Sequence, residues 1–177
     1  MAKQPHLIQI RIESWADEDA NMELLRLTNI PEMTKHLGGP ETEKQLIARH
    51  KRYLKVNKAG SGRMCSIVLL PSLEVVGGIG YWETLHHGET VYEMGWSVLP
   101  PFQGKGIAVA ATAAAILSAK SEQKHRFVYA FPSVDNLASN AICRKNNFSF
   151  IGECEFEYPK GSFMRCNEWR LDLDTTM

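Results

Sequence analysis

The chain has 177 residues, which suits one domain, here 1–177, and excludes a repeat array or a multidomain machine. Its 44% hydrophobic and 23% charged residues are near the averages for globular proteins, and a domain of this size buries roughly 70% of its unfolded surface, so it should fold without disulfides or metal. Twenty Lys and Arg balance twenty Asp and Glu, which excludes a global field that gathers nucleic acid, anionic lipid or acidic partners; any anion site must be local.

Leu7, Ile8, Ile10 and Ile12, interrupted by Gln9, Arg11 and Glu13, predict a first strand. Ser14 and Asp17 then offer N-caps for a helix carrying Met22, Leu24, Leu25 and Leu27, ended by Asn29 and Pro31. Leu37-Gly38-Gly39-Pro40 reads as loop. Thr42 followed three residues on by Gln45 is a capping box, and Leu46, Ile47, His50, Tyr53 and Leu54 continue at helical spacing to about Lys58. After the turn Gly60-Ser61-Gly62, the runs Met64 to Leu70 and Val75 to Trp82 are β-rich and separated by Pro71-Ser72, a hairpin signal. His86-His87-Gly88 marks the next turn, and Val91 to Leu99 is a third strand, stopped by Pro100-Pro101 because proline cannot donate to a ladder.

From Gly106 to Ala119 nearly every residue is apolar or small, which predicts a helix buried on most sides and too short to span a bilayer. Phe127 to Phe131 is an apolar strand of the kind found in a sheet centre. Asn136 to about Asn146 reads as a helix, and Phe150 to Glu157 and Phe163 to Leu173 as two closing strands. The alternation argues for one α/β sheet covered by helices on its faces. Cys65, Cys143, Cys154 and Cys166 contain no CxxC pair and, with the histidines, no zinc-finger spacing; no apolar run has signal-peptide or membrane-span length. The expectation is a soluble, cytoplasmic protein with reduced thiols and no metal, in which His86-His87 is a solvated turn. Lys51, Arg52 and Lys55 are a wet helix face.

The stretch Val91 to Ala108 runs strand, turn, Gly-rich loop, buried helix. Small residues at a helix entrance leave backbone N–H groups uncovered, and with the helix dipole these form an anion site suited to phosphate. A triphosphate loop of the G-x-x-x-x-G-K-(S/T) type fails because Gly106 follows Lys105. A dinucleotide fingerprint fails because Val109 stands where the third Gly or Ala belongs. A Gly-rich turn that merely joins strand to helix is the plain alternative.

Gln103-Gly104-Lys105-Gly106-Ile107-Ala108 resembles the (R/Q)-x-x-G-x-(G/A) motif of the GNAT superfamily of N-acetyltransferases, after a strand and proline and before a helix as in that family. Asn136, Ser139, Lys145, Asn147, Phe148 and Gly152 resemble its second conserved segment, with Asn147 in place of the usual Gly. The resemblance covers roughly Met64 to Leu173 and is nearest to the branch that acetylates the N-termini of ribosomal proteins. It implies a single GNAT-like α/β domain with a mixed, mostly antiparallel sheet of six or seven strands and helices on both faces. It implies acetyl-coenzyme A as co-substrate, a primary amine as acceptor (protein N-terminus or small molecule) and direct attack without an acyl-enzyme. Relatives that pair through sheets or helices make a homodimer a further expectation, although no stretch here marks an interface. A coenzyme-binding module of the same fold without turnover, and a longer acyl donor, are the alternatives.

On the same ground, Gln103 to Ala108 bind the pyrophosphate, with Asn136 and Ser139 also at the coenzyme. Trp96, Ser97 and Val98 meet the pantetheine arm through main chain where their strand bulges from its neighbour, which the interior Gly95 also suggests. An aliphatic amine, mostly protonated at neutral pH, needs a base. Glu93 on the cofactor strand is the candidate, Glu83 the fallback, and an ion-paired surface carboxylate the alternative reading of Glu93. Many relatives protonate the thiolate with a Tyr four residues beyond Ser139; Cys143 stands there, so Ser139 becomes the acid candidate and Cys143 a buried small hydrophobe. The segment Met33 to Pro40 borders the acceptor groove in similar proteins.

Overall fold

The computed structural model describes residues 7–175. The elements follow the chain as β1 (Ile10–Ser14), α1 (Asp19–Thr28), a single turn α2 (Pro31–Thr34), α3 (Glu43–Ala59), β2 (Gly62–Leu69), β3 (Glu74–His86) and β4 (Glu89–Val98). After a 3-10 turn at Pro100–Phe102 come α4 (Ile107–Glu122), β5 (Phe127–Ala130), α5 (Leu137–Lys145), β6 (Ser149–Glu157) and β7 (Phe163–Asp172). The strands form one seven-stranded sheet in the order β1-β2-β3-β4-β5-β7-β6. Every neighbouring pair is antiparallel except β4 and β5.

Alternation of side chains sends the two faces of the sheet to different helices. On one face, Ile67, Val76, Ile79, Tyr81, Tyr92, Met94 and Val128 pack against Ile107, Ala111, Ala115 and Ala119 of α4, whose alanines let the helix sit close. The far end of α4 is fixed by Glu122, which accepts from the Tyr81 hydroxyl at 2.6 Å and the Tyr92 hydroxyl at 2.7 Å. On the other face, α1 and α3 cover β2 and β3 through Trp15, Leu24, Leu25, Leu46 and Met64, with Trp82 at their edge. Asn57 of α3 clamps the start of β2, accepting from the Met64 N–H at 2.7 Å and donating to its carbonyl at 2.9 Å. The Trp15 indole donates to His50 Nδ1 at 3.0 Å, which leaves Nε2 to donate to Asp17 at 2.9 Å and fixes the tautomer of that ring.

The capping box at Thr42 is formed as the spacing predicts. The cap of α1 differs: the helix starts at Asp19 behind Glu18, which makes no side-chain cap bond, and Ser14 is instead the last residue of β1. The turn α2 carries no apolar periodicity and gives no sequence signal; Pro31 at its first position starts it. The β3–β4 hairpin is longer than the apolar runs suggest, with the ladder continuing to His86 opposite Glu89. Its tip, His87 at φ 49° and Gly88 at φ 79°, is a left-handed pair of the kind that matches strand twist.

Candidate active site

Beta strands 4 and 5 run parallel and pair only through Tyr92 with Val128 and Glu93 with Tyr129. Beyond Glu93 the two strands part, so the second half of β4 has β3 on one edge and an opening on the other. Leu99 N–H donates to Val76 of β3 at 2.8 Å, and the Ser97 carbonyl also faces β3, since a Cβ built on Gly77 would lie 2.2 Å from it. Main-chain groups alternate along a strand, so those of Trp96 and Val98 face the opening. This corrects the expectation for Ser97, whose main chain is spent on β3 and does not face the opening. The expected bulge is also absent, because Gly95 stays in register opposite Gly80. Gly95 is small for another reason: a Cβ there would meet the Trp82 ring at 3.2 Å.

At the open end of β4 the Gln103 side chain donates to the Val98 carbonyl at 2.8 Å and so ties the loop to the strand. Gly104 and Gly106 adopt φ 72° and 82°, which favour glycine, and a Cβ on either would meet nothing within 4 Å. Gly106 caps α4 without a side-chain bond, and the first bond closing the helix is Ala110 N–H to the Gly106 carbonyl. Among the described residues, no acceptor meets the N–H groups of residues 104–109. Six donors, the positive end of a 16-residue helix and open space in front of two glycines fit a pyrophosphate. Lys105 lies over the Phe102 ring at 5.6 Å and adds a positive charge beside them.

Helix α5 borders the opening on the α4 side. Asn136 caps it, its Oδ1 accepting from the Ser139 N–H at 3.1 Å, so this side-chain oxygen serves the helix. Ser139 Oγ accepts from the Trp96 indole N–H at 3.3 Å, which leaves the hydroxyl proton free to be donated elsewhere. Cys143 is fully buried, and burial pushes its thiol up to about 12, as expected for a small core residue without nucleophilic character. Asn147 holds φ 62°, the left-handed conformation that Asn tolerates best after Gly, so the departure from the family segment keeps the same turn.

On the opposite face, Glu93 shares a cavity of about 230 Å³ with His86, Glu168, Cys154, Phe131 and Phe156. Over β5, β7 and β6 this face is not roofed by α1 and α3. Phe131 stacks on Phe156 at 4.8 Å and His86 packs against Tyr129 at 4.5 Å, which makes the walls aromatic. Burial raises the Glu93 carboxyl to about 7, with the Trp82 indole pulling weakly the other way. A carboxyl poised near neutrality where the two strands part can exchange a proton at physiological pH. Glu83, the fallback, is ion-paired to His125 at 2.9 Å and Lys124 at 3.8 Å, and does not line this cavity.

Two expectations about the surroundings change. His86 is not in a solvated turn: it is the last strand residue of β3, partly buried, with Nε2 2.8 Å from Glu168. Glu168, Cys154, Phe131 and Phe156 were not singled out from the sequence. The signal available was Glu168 within the otherwise strand-like run before Trp169, where a carboxylate only 9% exposed faces away from α5. The segment 33–40 packs under the β6–β7 hairpin rather than lining the cavity. Gly38 leaves room for Pro159, and Arg49 of α3 links Glu41 at 2.5 Å to the Tyr158 hydroxyl at 3.1 Å. Lys51, Arg52 and Lys55 are exposed, as predicted.

A family model described as the acetyltransferase (GNAT) domain matches residues 9–149. The chain belongs to the GNAT acetyltransferase family. A comparison with curated protein sequences finds no match. Solved GNAT structures share the fold along nearly the whole chain. One is an acetyltransferase from Salmonella typhimurium that modifies the N-terminal serine of a 50S ribosomal subunit protein; it has 18% identity and a TM-score of 0.76, with 93% of this chain and 95% of that one covered. The microcin C7 self-immunity acetyltransferase in complex with acetyl-CoA and AMP has 18% identity and a TM-score of 0.75, covering 93% and 92%. Spermidine N-acetyltransferase from Vibrio cholerae, in complex with CoA and spermine, has 14% identity and a TM-score of 0.74, covering 93% and 96%. The GNAT assignment accounts for the seven-stranded sheet and the one parallel pair at its centre. Among the described residues, no helix is long and apolar enough to cross a membrane.

Proposed function

We propose that this GNAT enzyme moves the acetyl group of acetyl-coenzyme A to a primary amine by direct attack, with the coenzyme on the α4 side of the opening and the amine in the Glu93 cavity. The observation that carries the reading is that β4 loses its β5 partner at Glu93, a carboxyl of pKa about 7, and that its open half then runs on to the phosphate-ready loop. The pyrophosphate takes the N–H groups of residues 104–109, and the pantetheine amides pair with the main chain of Trp96 and the N–H of Val98. Glu93 accepts a proton from the ammonium form of the acceptor. The amine nitrogen then attacks the thioester carbonyl carbon, and the oxyanion is met by a main-chain N–H of the open edge of β4. The nitrogen gives up its second proton to water as collapse breaks the C–S bond, and the thiolate takes the Ser139 hydroxyl proton, which solvent restores.

A primary amine is also the acceptor class named for two of the neighbours, a protein N-terminal serine in one and spermidine in the other. The four free cysteines suit a reduced cytoplasm. A homodimer belongs to the same reading and is tested by sedimentation velocity. The functional test is coenzyme A release from acetyl-coenzyme A in the presence of peptides with free N-termini, monoamines and polyamines. Amine-dependent release with an acetylated product supports the reading; saturable coenzyme binding with no transfer to any amine replaces it with a non-catalytic coenzyme-binding module.

A further inference from the structure

His86 and His87 end the β3 side of the hairpin, and Glu168 reaches them from β7, far away in the chain. One ligand atom of each lies within 4.8 Å of the others, and this candidate cation site is empty. The arrangement is not what a strand delivers by itself, since consecutive residues point to opposite faces. The left-handed φ of 49° at His87 turns its ring back beside His86, with centroids 4.1 Å apart. Glu168 is 9% exposed and already touches His86 Nε2 at 2.8 Å, so two of the three groups are held in place. Acetyl transfer as derived above uses none of the three.

We propose that His86, His87 and Glu168 bind a divalent transition cation of the Zn²⁺ class at the mouth of the acceptor cavity, and that the bound ion competes with the amine. Two imidazole nitrogens and one carboxylate oxygen are a zinc donor set, with the fourth position open to water, whereas Mg²⁺ and Ca²⁺ call for oxygen ligands. Zinc bonds of about 2.0 to 2.1 Å set tetrahedral ligand atoms roughly 3.4 Å apart, within reach of small side-chain rotations from the present spread. All three residues line the cavity that Glu93 lines, so an ion there occupies the entrance and repels an ammonium group. The competition rests on the acceptor assignment; the binding does not. The thiol of Cys154 lines the same cavity and is the one softer donor to be separated from this site.

Calorimetry of the full chain with ZnCl2 and with MgCl2 tests the binding without turnover. The expected result is one Zn²⁺ per chain and at least about 100-fold weaker Mg²⁺. His87→Asn, which keeps a residue tolerant of the left-handed turn, should weaken Zn²⁺ by at least about tenfold, while Cys154→Ser leaves it unchanged. Zinc affinity indifferent to His87→Asn, or lost with Cys154→Ser, overturns the site. In the acetylation assay, with inhibition expressed against each variant's own zinc-free rate, zinc should raise the apparent KM for the amine and leave kcat alone. Bound zinc with an unchanged amine KM overturns the competition, and absence of acetylation of any amine bears on the proposed function and not on the calorimetric result.

Discussion

Replacing Glu93 by Gln should move catalysis and stability in opposite directions over the same pH range. The carboxyl ionises at about 7 in the folded chain against an ordinary 4.5, because it is buried beside Trp82. Between those values the folded state holds a proton that the unfolded state has lost, so wild-type stability falls as pH rises from 4.5 to 7 and stays low above it. At about 1.4 kcal/mol per pH unit the full loss is at most about 3.5 kcal/mol, reduced by whatever water reaches this partly buried group. Glu93→Gln removes that penalty. Urea denaturation should show the two proteins equally stable near pH 4.5 and the variant more stable by one to about 3 kcal/mol at pH 8. Catalysis runs the other way: the ionised fraction of the wild-type base rises about tenfold between pH 6 and pH 8, so the ratio of wild-type to variant kcat/KM should rise by that factor and reach about 100 or more at pH 8. Taking the ratio cancels the ionisation of the amine itself. A stability difference that does not change with pH would refute the buried carboxyl, and an activity ratio flat across pH would refute its role as base.

Ser139→Ala should lower kcat about tenfold and change acetyl-coenzyme A affinity by less than about threefold; an unchanged kcat in stopped-time assays would hand the thiolate proton to water. Glu83→Gln breaks only the pairs with His125 and Lys124, so the pH profile of acetylation should keep its midpoint and stability should change by less than about 1 kcal/mol; a displaced midpoint would move the base to Glu83. Thr42→Ala removes the half of the capping box made by the Thr42 hydroxyl and leaves the bond from its backbone N–H to Gln45; it should cost about 1 kcal/mol in urea denaturation, with no loss meaning that α3 is held by Leu46 and His50 alone.

The sheet was readable because its strands are β-rich runs cut by Pro71-Ser72, His87-Gly88 and Pro100-Pro101, and α4 because an unbroken Ala-rich run can only be a helix packed on something apolar. The shape of the Gly-rich loop was equally readable, since positive φ at Gly104 and Gly106 is a local demand that the residue type announces. The face of the sheet that carries Glu93 was not. Its cavity is assembled from β3, β4, β6, β7 and Phe131 just after β5, and which face of β7 meets Glu93 depends on where β4 and β5 part, a property of pairing over long separations. His86 shows the same limit: the HHG triplet signals a turn, while the partner that gives His86 a role, Glu168, is supplied only by the crossover of β7 between β5 and β6. Gly95 shows another, for a strand glycine signals a close approach without saying whether backbone or, as here, the Trp82 ring is what approaches.

The central claim is that the N–H groups at the start of α4 hold the coenzyme pyrophosphate. It is tested most directly by calorimetric titration of acetyl-coenzyme A into the wild-type chain and into Gly106→Glu, with ATP as the control ligand. The account predicts saturable micromolar binding to the wild type, none to the variant, in which a carboxylate faces the phosphate, and none of ATP by either. Acetyl-coenzyme A binding equally well to both proteins would contradict it.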